Sequence, residues 1–171
     1  MARDPGVLSA LARSGFASLS ASRSRLDELR DCGVDVTDWM SDFRDTADPD
    51  QALVFLADLA ARAPEYLEPV LSDDEWRGNL LRVLGSSAGL GDFFRRHPGE
   101  RRGIRRRLVE LQTAEVMTQS IGDEVAVALS ERGVDSDIAA VALRVAYRRI
   151  LATVALFDLG SDDPVEVFDA V

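Results

Sequence analysis

Two side chains of this sequence belong to the residue types that most often carry covalent or metal chemistry, and each occurs once. His97 is the only histidine and Cys32 the only cysteine. A Ser-His-Asp triad, a Cys-His pair or a zinc site would therefore depend on His97 alone. Cys32 cannot form an intramolecular disulfide or a thiolate metal cluster. His97 precedes Pro98 at a predicted helix end, where an imidazolium complements the helix dipole. We expect no complete catalytic site, no cofactor-binding residue and no metal ligand set in this chain.

The types of basic residue also exclude some kinds of catalytic and binding site. All 20 are Arg, against 30 Asp and Glu, which gives a net charge of −10. Without Lys, this stretch can hold no Schiff-base lysine and no phosphate-loop lysine. An acidic chain also lacks the many cations that nucleic-acid binding needs, so we expect no nucleic-acid partner.

The distribution of apolar residues bears on location. The chain is 46% hydrophobic, enough to build a core. The N-terminus begins no apolar signal run. The most apolar stretch, Ile138–Leu159, contains Arg144, Arg148 and Arg149, which a bilayer span would have to bury. The sequence therefore predicts a core helix, no membrane partner and a cytoplasmic location.

One turn near the end invites a functional interpretation. Leu159–Asp163 is Leu-Gly-Ser-Asp-Asp, and a Gly-Ser turn followed by Asp-x-Asp on a strand binds phosphate and magnesium in nucleotidyltransferases. Here no Asp-x-Asp follows, and the sequence predicts no strand beside it. Asp163 and Pro164 are also explained as a helix start, and we favour this interpretation.

Seven Arg residues form the one basic cluster, with Glu100 among them. It can be a set of helix-terminal cations beside a solvated turn, or a docking surface for a phosphate or an acidic partner. No aromatic side chain interrupts the cluster, which argues against single-stranded nucleic acid. The Arg cluster, a possible interaction surface, consists of Arg95, Arg96, Arg101, Arg102, Arg105, Arg106 and Arg107.

Helix caps and apolar spacing at three to four residues predict helices along the whole chain. Two short helices lie in Val7–Asp31, with a break at Ser14 and Gly15 and a mobile, Ser/Arg-rich Ser18–Arg25. No segment shows the alternation of a half-buried strand. Later helices are predicted to begin at Asp48-Pro49 and end at Pro64, to span Glu65–Leu71, to run from Asp73 to a stop at Gly85, to cover Leu90–Arg96, to run from Ala114 to Arg132, to run from Asp135 to Leu159, and to begin again at Asp163-Pro164.

Several segments in this order resemble a known family. They resemble the beginning of the bifunctional glutamine synthetase adenylyltransferase/adenylyl-removing enzyme, especially its members from high-GC bacteria. The segments are Asp48–Leu53, Leu81–Ser87, Leu90–Phe93, Arg96–Pro98, Leu143-Arg144, Tyr147–Leu151 and Asp158-Leu159.

The resemblance implies a multifunctional transferase of nitrogen metabolism that attaches AMP to glutamine synthetase and removes it by phosphorolysis. Each activity uses a nucleotidyltransferase domain with magnesium-binding carboxylates, so ATP and Mg²⁺ are implied for the full-length family. Its metal-binding motif lies beyond the helix that begins at Pro164, and no catalytic residue of the family can be placed on this chain. The implied partners are glutamine synthetase and a downstream nucleotidyltransferase domain.

We therefore expect an all-α, irregular multi-helix bundle that leads into a nucleotidyltransferase domain. Residues 1–47 are expected to hold short helices and the mobile segment, and residues 48–171 a helical domain that is incomplete at its C-terminus. The predicted function is that of a non-catalytic segment of the enzyme. The alternatives are a stand-alone acidic helical interaction module and a diverged, inactive remnant.

The final residues give a first testable prediction. The helix begun at Asp163-Pro164 would present Val165, Val167, Phe168 and Val171 in only two turns, and such a short helix is unstable without packing. We expect fast amide exchange from Asp163 onward and concentration-dependent sedimentation. Protection of Asp163–Val171 equal to that of Val141–Val154 in a strict monomer would contradict this expectation and favour the module.

Overall fold

The structure is a computed structural model that describes residues 5–106 and 112–160. Every regular element within these ranges is helical, which confirms the predicted all-α class. The helices are α1 (Pro5–Arg13), α2 (Leu19–Asp31), α3 (Met40–Arg44), α4 (Pro49–Arg62), α5 (Pro64–Leu71), α6 (Asp74–Ser86), α7 (Ala88–Arg96), α8 (Ala114–Arg132) and α9 (Ser136–Leu159), with 3-10 turns at Thr37–Trp39 and Pro98–Ile104.

The helices fall into two compact units. The first, Met1–Arg106, holds α1–α7, and the second, Arg107–Val171, holds α8 and α9. Within the first unit, α2 and α4 pack on each other. None of the described helices is both long enough and apolar enough to cross a membrane.

Helix α4 is the centre of the first unit. It begins as predicted: the Asp48 carboxylate accepts a hydrogen bond from the Gln51 backbone N–H at 2.9 Å, and Pro49 occupies the first turn. It ends at Arg62, just before Pro64. Helices α2, α5, α6 and α7 all pack on α4. Its core-facing side chains are Ala52, Leu53, Leu56, Ala57, Leu59 and Ala60.

The Ser/Arg-rich segment predicted to be mobile forms the first half of α2. The Asp50 carboxylate accepts hydrogen bonds from the backbone N–H groups of Ala17, at 2.7 Å, and Ser18, at 3.3 Å. The Ser22 hydroxyl donates to the same carboxylate and is buried. Asp50 therefore holds the residues that lead into α2, and Ser22 within it, against the start of α4.

Gly85 does not end α6 as predicted, because the helix continues through Ser86. A glycine at position 85 is explained by the close approach of other residues to its Cα. A Cβ at Gly85 would lie 2.8 Å from the Thr46 Cβ and 2.9 Å from the Asp48 carbonyl oxygen. At the same junction the Gln51 side-chain amide donates to the Leu84 carbonyl oxygen at 2.7 Å. The end of α6 therefore lies directly against the start of α4.

In the second unit, α8 and α9 pack on each other, and Arg149 pairs with Glu124. Helix α8 runs from the Thr113 cap to Gly133, whose φ of +97° suits the helix stop predicted there. Arg144 and Arg148 of α9 are exposed. The buried side chains of α9 are Ala146, Ala152, Leu156 and Phe157. Residues 161–171, with the Asp163-Pro164 helix start, lie outside the described residues.

The close approach at Gly85 predicts the effect of one methyl group. In Gly85→Ala the new Cβ meets Thr46 and the Asp48 backbone, so we expect a loss of about 1–3 kcal/mol in the free energy of unfolding, measured by urea denaturation. Gly78→Ala is the matched control, since nothing lies within 4 Å of its Cβ. The free energy of unfolding of the control should rise by up to about 1 kcal/mol, because Ala has a higher helix propensity than Gly. Equal effects of both substitutions would contradict the close approach.

Candidate functional site

The described members of the Arg cluster are divided among three places in the first unit. Arg95 and Arg96 lie in the last turn of α7, and both pair with the Asp92 carboxylate one turn earlier. The Arg95 Nε also lies 3.7 Å from an Asp58 carboxylate oxygen on α4. The Asp92 carboxylate, through hydrogen bonding, raises the pKa of Arg95. These two cations are therefore neutralised by acids of the same chain.

Arg105 and Arg106 lie at the end of the 3-10 segment and pair with Asp73, the N-cap of α6. Arg105 Nε and Arg106 Nη1 lie 3.3 and 3.1 Å from Asp73 carboxylate oxygens, and Arg106 Nη1 lies 2.8 Å from Glu75. Asp73 also accepts from the Trp76 backbone N–H at 3.1 Å. These contacts hold the pKa of Asp73 below its ordinary value. The backbone hydrogen bond from Trp76 has the largest effect, and Arg106 and Arg105 add to it.

Arg101 differs from the rest of the Arg cluster because it is buried, with only 1% of its surface exposed. Its guanidinium carbon lies 5.9 Å from the centroid of the Tyr66 ring. Burial lowers the pKa of Arg101 to about 10, so the group remains charged at neutral pH. Arg101 is thus no part of a solvent-facing docking surface. Arg102 is exposed, and Arg107 lies outside the described residues.

Two residues that the sequence analysis did not select hold the 3-10 segment in place. The Trp76 indole N–H donates to the Arg101 carbonyl oxygen at 3.0 Å. The Asn79 side-chain amide donates to the carbonyl oxygens of Ile104, at 3.1 Å, and Arg105, at 3.4 Å. Asn79 is 2% exposed, and a polar residue among the apolar positions of α6 could have indicated this role. Together they fix the backbone from which the arginines project.

His97 and Cys32 take up structural or peripheral positions. The His97 backbone N–H caps α7 by donating to the Phe93 carbonyl oxygen at 2.8 Å, and its ring lies 5.3 Å from the Phe93 ring. Cys32 is exposed after α2. Across the part of the chain that the structure describes, no group of three or more His, Cys, Asp or Glu side chains could hold a metal ion. The contacts described for the Arg cluster and for His97 are thus ion pairs, hydrogen bonds and ring contacts.

Three relatives carry the name bifunctional glutamine synthetase adenylyltransferase/adenylyl-removing enzyme. The protein from Leifsonia xyli subsp. xyli is 39% identical over 172 residues, which is 100% of this chain and 17% of the relative. Those from Cutibacterium acnes and Streptomyces coelicolor are 32% and 34% identical, over 89% and 96% of this chain and 16% of each relative. No protein-family model and no solved structure matches the chain.

These matches confirm the resemblance predicted from segments such as Asp48–Leu53. They also show that the chain spans only 16–17% of the length of these relatives, so it corresponds to one segment of such an enzyme.

The anchoring role of Asn79 predicts a loss of stability. Asn79→Ala leaves the Ile104 and Arg105 carbonyl oxygens without their donor, and we expect a loss of about 1–3 kcal/mol in the free energy of unfolding. Ser86→Ala, at an exposed position of the same helix, is the control and should change stability by less than about 0.5 kcal/mol. Calorimetry or urea denaturation measures both. An Asn79 variant as stable as the control would contradict the anchoring role.

The lowered pKa of Asp73 predicts a pH dependence. Its folded-state pKa lies below that of the unfolded chain, ~3.9, so its contribution to stability is present above about pH 4 and is lost as the pH falls through the folded pKa. Asp73→Asn keeps a capping side chain but cannot titrate. We therefore expect a shallower loss of stability on acidification, measured as the urea midpoint from neutral pH downward. Asp74→Asn, which makes the same charge change at a 91% exposed side chain, is the control. Parallel acid limbs for the wild type and Asp73→Asn would contradict the prediction.

Proposed function

We propose that this chain, a homologue of one segment of the bifunctional glutamine synthetase adenylyltransferase/adenylyl-removing enzymes, is a non-catalytic helical support within such an enzyme. Its place would be before the nucleotidyltransferase domain of the adenylyl-removing half. The observation that carries the proposal is the match of 39% identity over the whole chain and only 17% of the Leifsonia xyli relative.

The described residues support a non-catalytic role. Adenylyl transfer is a phosphoryl-group transfer that positions magnesium ions with carboxylates around the reacting phosphate. Among the described residues no such acidic group is assembled, and the acids beside the Arg cluster are engaged in ion pairs and caps. We assign ATP and Mg²⁺ to the remainder of the enzyme, and glutamine synthetase as the substrate that the relatives' name states.

The fold supplies what a support requires. The first unit is organised around α4, and its helix ends are tied by side chains of neighbouring helices, as at Asp50 and Gln51. Such contacts between helices favour one defined arrangement of them. A rigid helical unit of this kind would brace a catalytic sheet and limit the approach of a large protein substrate.

The alternative of a stand-alone interaction module receives less support. It depends on the Arg cluster as a free basic face, yet Arg95, Arg96, Arg105 and Arg106 pair with acids of the same unit, and Arg101 is buried. A partner would have to displace these internal acids to bind.

A chimera tests the proposal. This chain replaces the matching segment of the Leifsonia xyli enzyme, and the purified chimera is assayed for Mg²⁺-dependent transfer of AMP to glutamine synthetase and for ADP release from the adenylylated form. We expect both activities in the chimera and neither in the isolated 171-residue chain. Deletion of the segment should abolish the removing activity.

The Gly85→Ala substitution inside the chimera is the control for support by folding. It should reduce activity in parallel with the thermal stability of the chimera, because it acts on packing only. Two results would overturn the proposal: Mg²⁺-dependent ADP release by the isolated chain that a substitution within it abolishes, or full removing activity after deletion of the segment.

A further inference from the structure

The Arg101 guanidinium is a buried cation without a hydrogen-bond acceptor among the described residues. Its Nε, Nη1 and Nη2 atoms are all enclosed, and none has a hydrogen-bond partner there. Arg101 is also the largest fully buried side chain described. A guanidinium carries five N–H donors in a fixed fork and does not lose its charge at neutral pH.

Such a group is costly to bury alone. Removing an ion from water without a counter-charge and hydrogen bonds is strongly unfavourable. The Tyr66 ring, 5.9 Å from the guanidinium carbon, offers one weak electrostatic contact and no oxygen acceptor in the plane of the fork. The surrounding structure nevertheless holds the side chain inside, since Trp76 anchors the Arg101 carbonyl oxygen and Asn79 the following residues.

We propose that the Arg101 fork is the receptor of a carboxylate, which completes a buried bidentate ion pair in the first unit. A carboxylate matches the fork with two parallel N–H···O bonds. It also carries one negative charge, so the buried pair is neutral, whereas a dianionic phosphate would leave an unbalanced charge inside. The full enclosure restricts the occupant to a small group.

The carboxylate can come from two sources. Glu65 lies in the first turn of α5, next to Tyr66, and its charge acts on Arg101 while its side chain is exposed. A rotation of Glu65 toward the guanidinium would fill the receptor from within the chain. A free small carboxylate would fill it from outside.

The test uses the full 171-residue chain labelled with ¹⁵N-arginine and titrated with sodium acetate, against sodium chloride at equal ionic strength. The readouts are the Arg101 Nε–H resonance, its exchange rate with water, and the melting temperature. Wild type is compared with Glu65→Gln and Arg101→Met, and Arg102→Met is the control for the loss of one exposed cation.

We expect acetate to shift the Arg101 resonance along a saturating curve, slow its exchange and raise the melting temperature in Glu65→Gln, with no such response to chloride. The same response in wild type assigns an external carboxylate, and a response confined to Glu65→Gln assigns Glu65 as the occupant. The response should be lost in Arg101→Met and kept in Arg102→Met. If Arg101→Met does not fold, the resonance of the other two proteins still decides. No response to acetate in either wild type or Glu65→Gln would overturn the proposal.

Discussion

Side chains at the start of α4 bind the ends of two other helices, and the first unit depends on this junction. Asp48 caps α4 itself, Asp50 accepts from the backbone just before α2, and Gln51 donates to a carbonyl oxygen near the end of α6. Backbone polar groups at helix ends must find partners when they leave water, and here one turn provides them for separate helices. Gly85 makes the close approach possible, because any larger residue would meet Thr46 and Asp48. The same segment, Asp48–Leu53, is among those that resemble the enzyme family. Part of the resemblance therefore lies in residues that hold the helices together.

Local chemistry made most of the helices predictable, and contacts between distant residues account for the differences. Asp48, Asp73 and Asp135 cap their helices where the sequence predicts starts, since a capping carboxylate acts on N–H groups two or three residues away. Gly85 resembled a helix stop, because a glycine required for close packing and a glycine that ends a helix look alike in a sequence. The contacts of Ser18 and Ser22 with Asp50 could not be predicted locally, because Asp50 lies about thirty residues further along the chain.

At the candidate site, some contacts of the Arg cluster also depend on residues that are distant in the sequence. Its seven members share a charge and a sequence neighbourhood, which predicts one basic surface. The structure separates the described members by the positions of Asp92 and Asp73, and it buries Arg101, whose guanidinium lies near the Tyr66 ring. Burial of a single arginine depends on which aromatic residues another helix presents, and a count of charges contains no such information. The described arginines of the cluster thus pair within α7, or between the 3-10 segment and the start of α6.

Because α2, α5, α6 and α7 all pack on α4, we expect the first unit to unfold as one cooperative body, which amide hydrogen exchange over the full chain measures. This cooperativity predicts that Leu26 and Leu29 of α2 are protected to the same degree as Leu53 and Leu56 of α4. It also predicts that Asp50→Ala lowers the protection of both helices together, because global unfolding limits their exchange. Free exchange of α2 in the wild type beside a protected α4, or an unchanged α2 in Asp50→Ala, would contradict the claim.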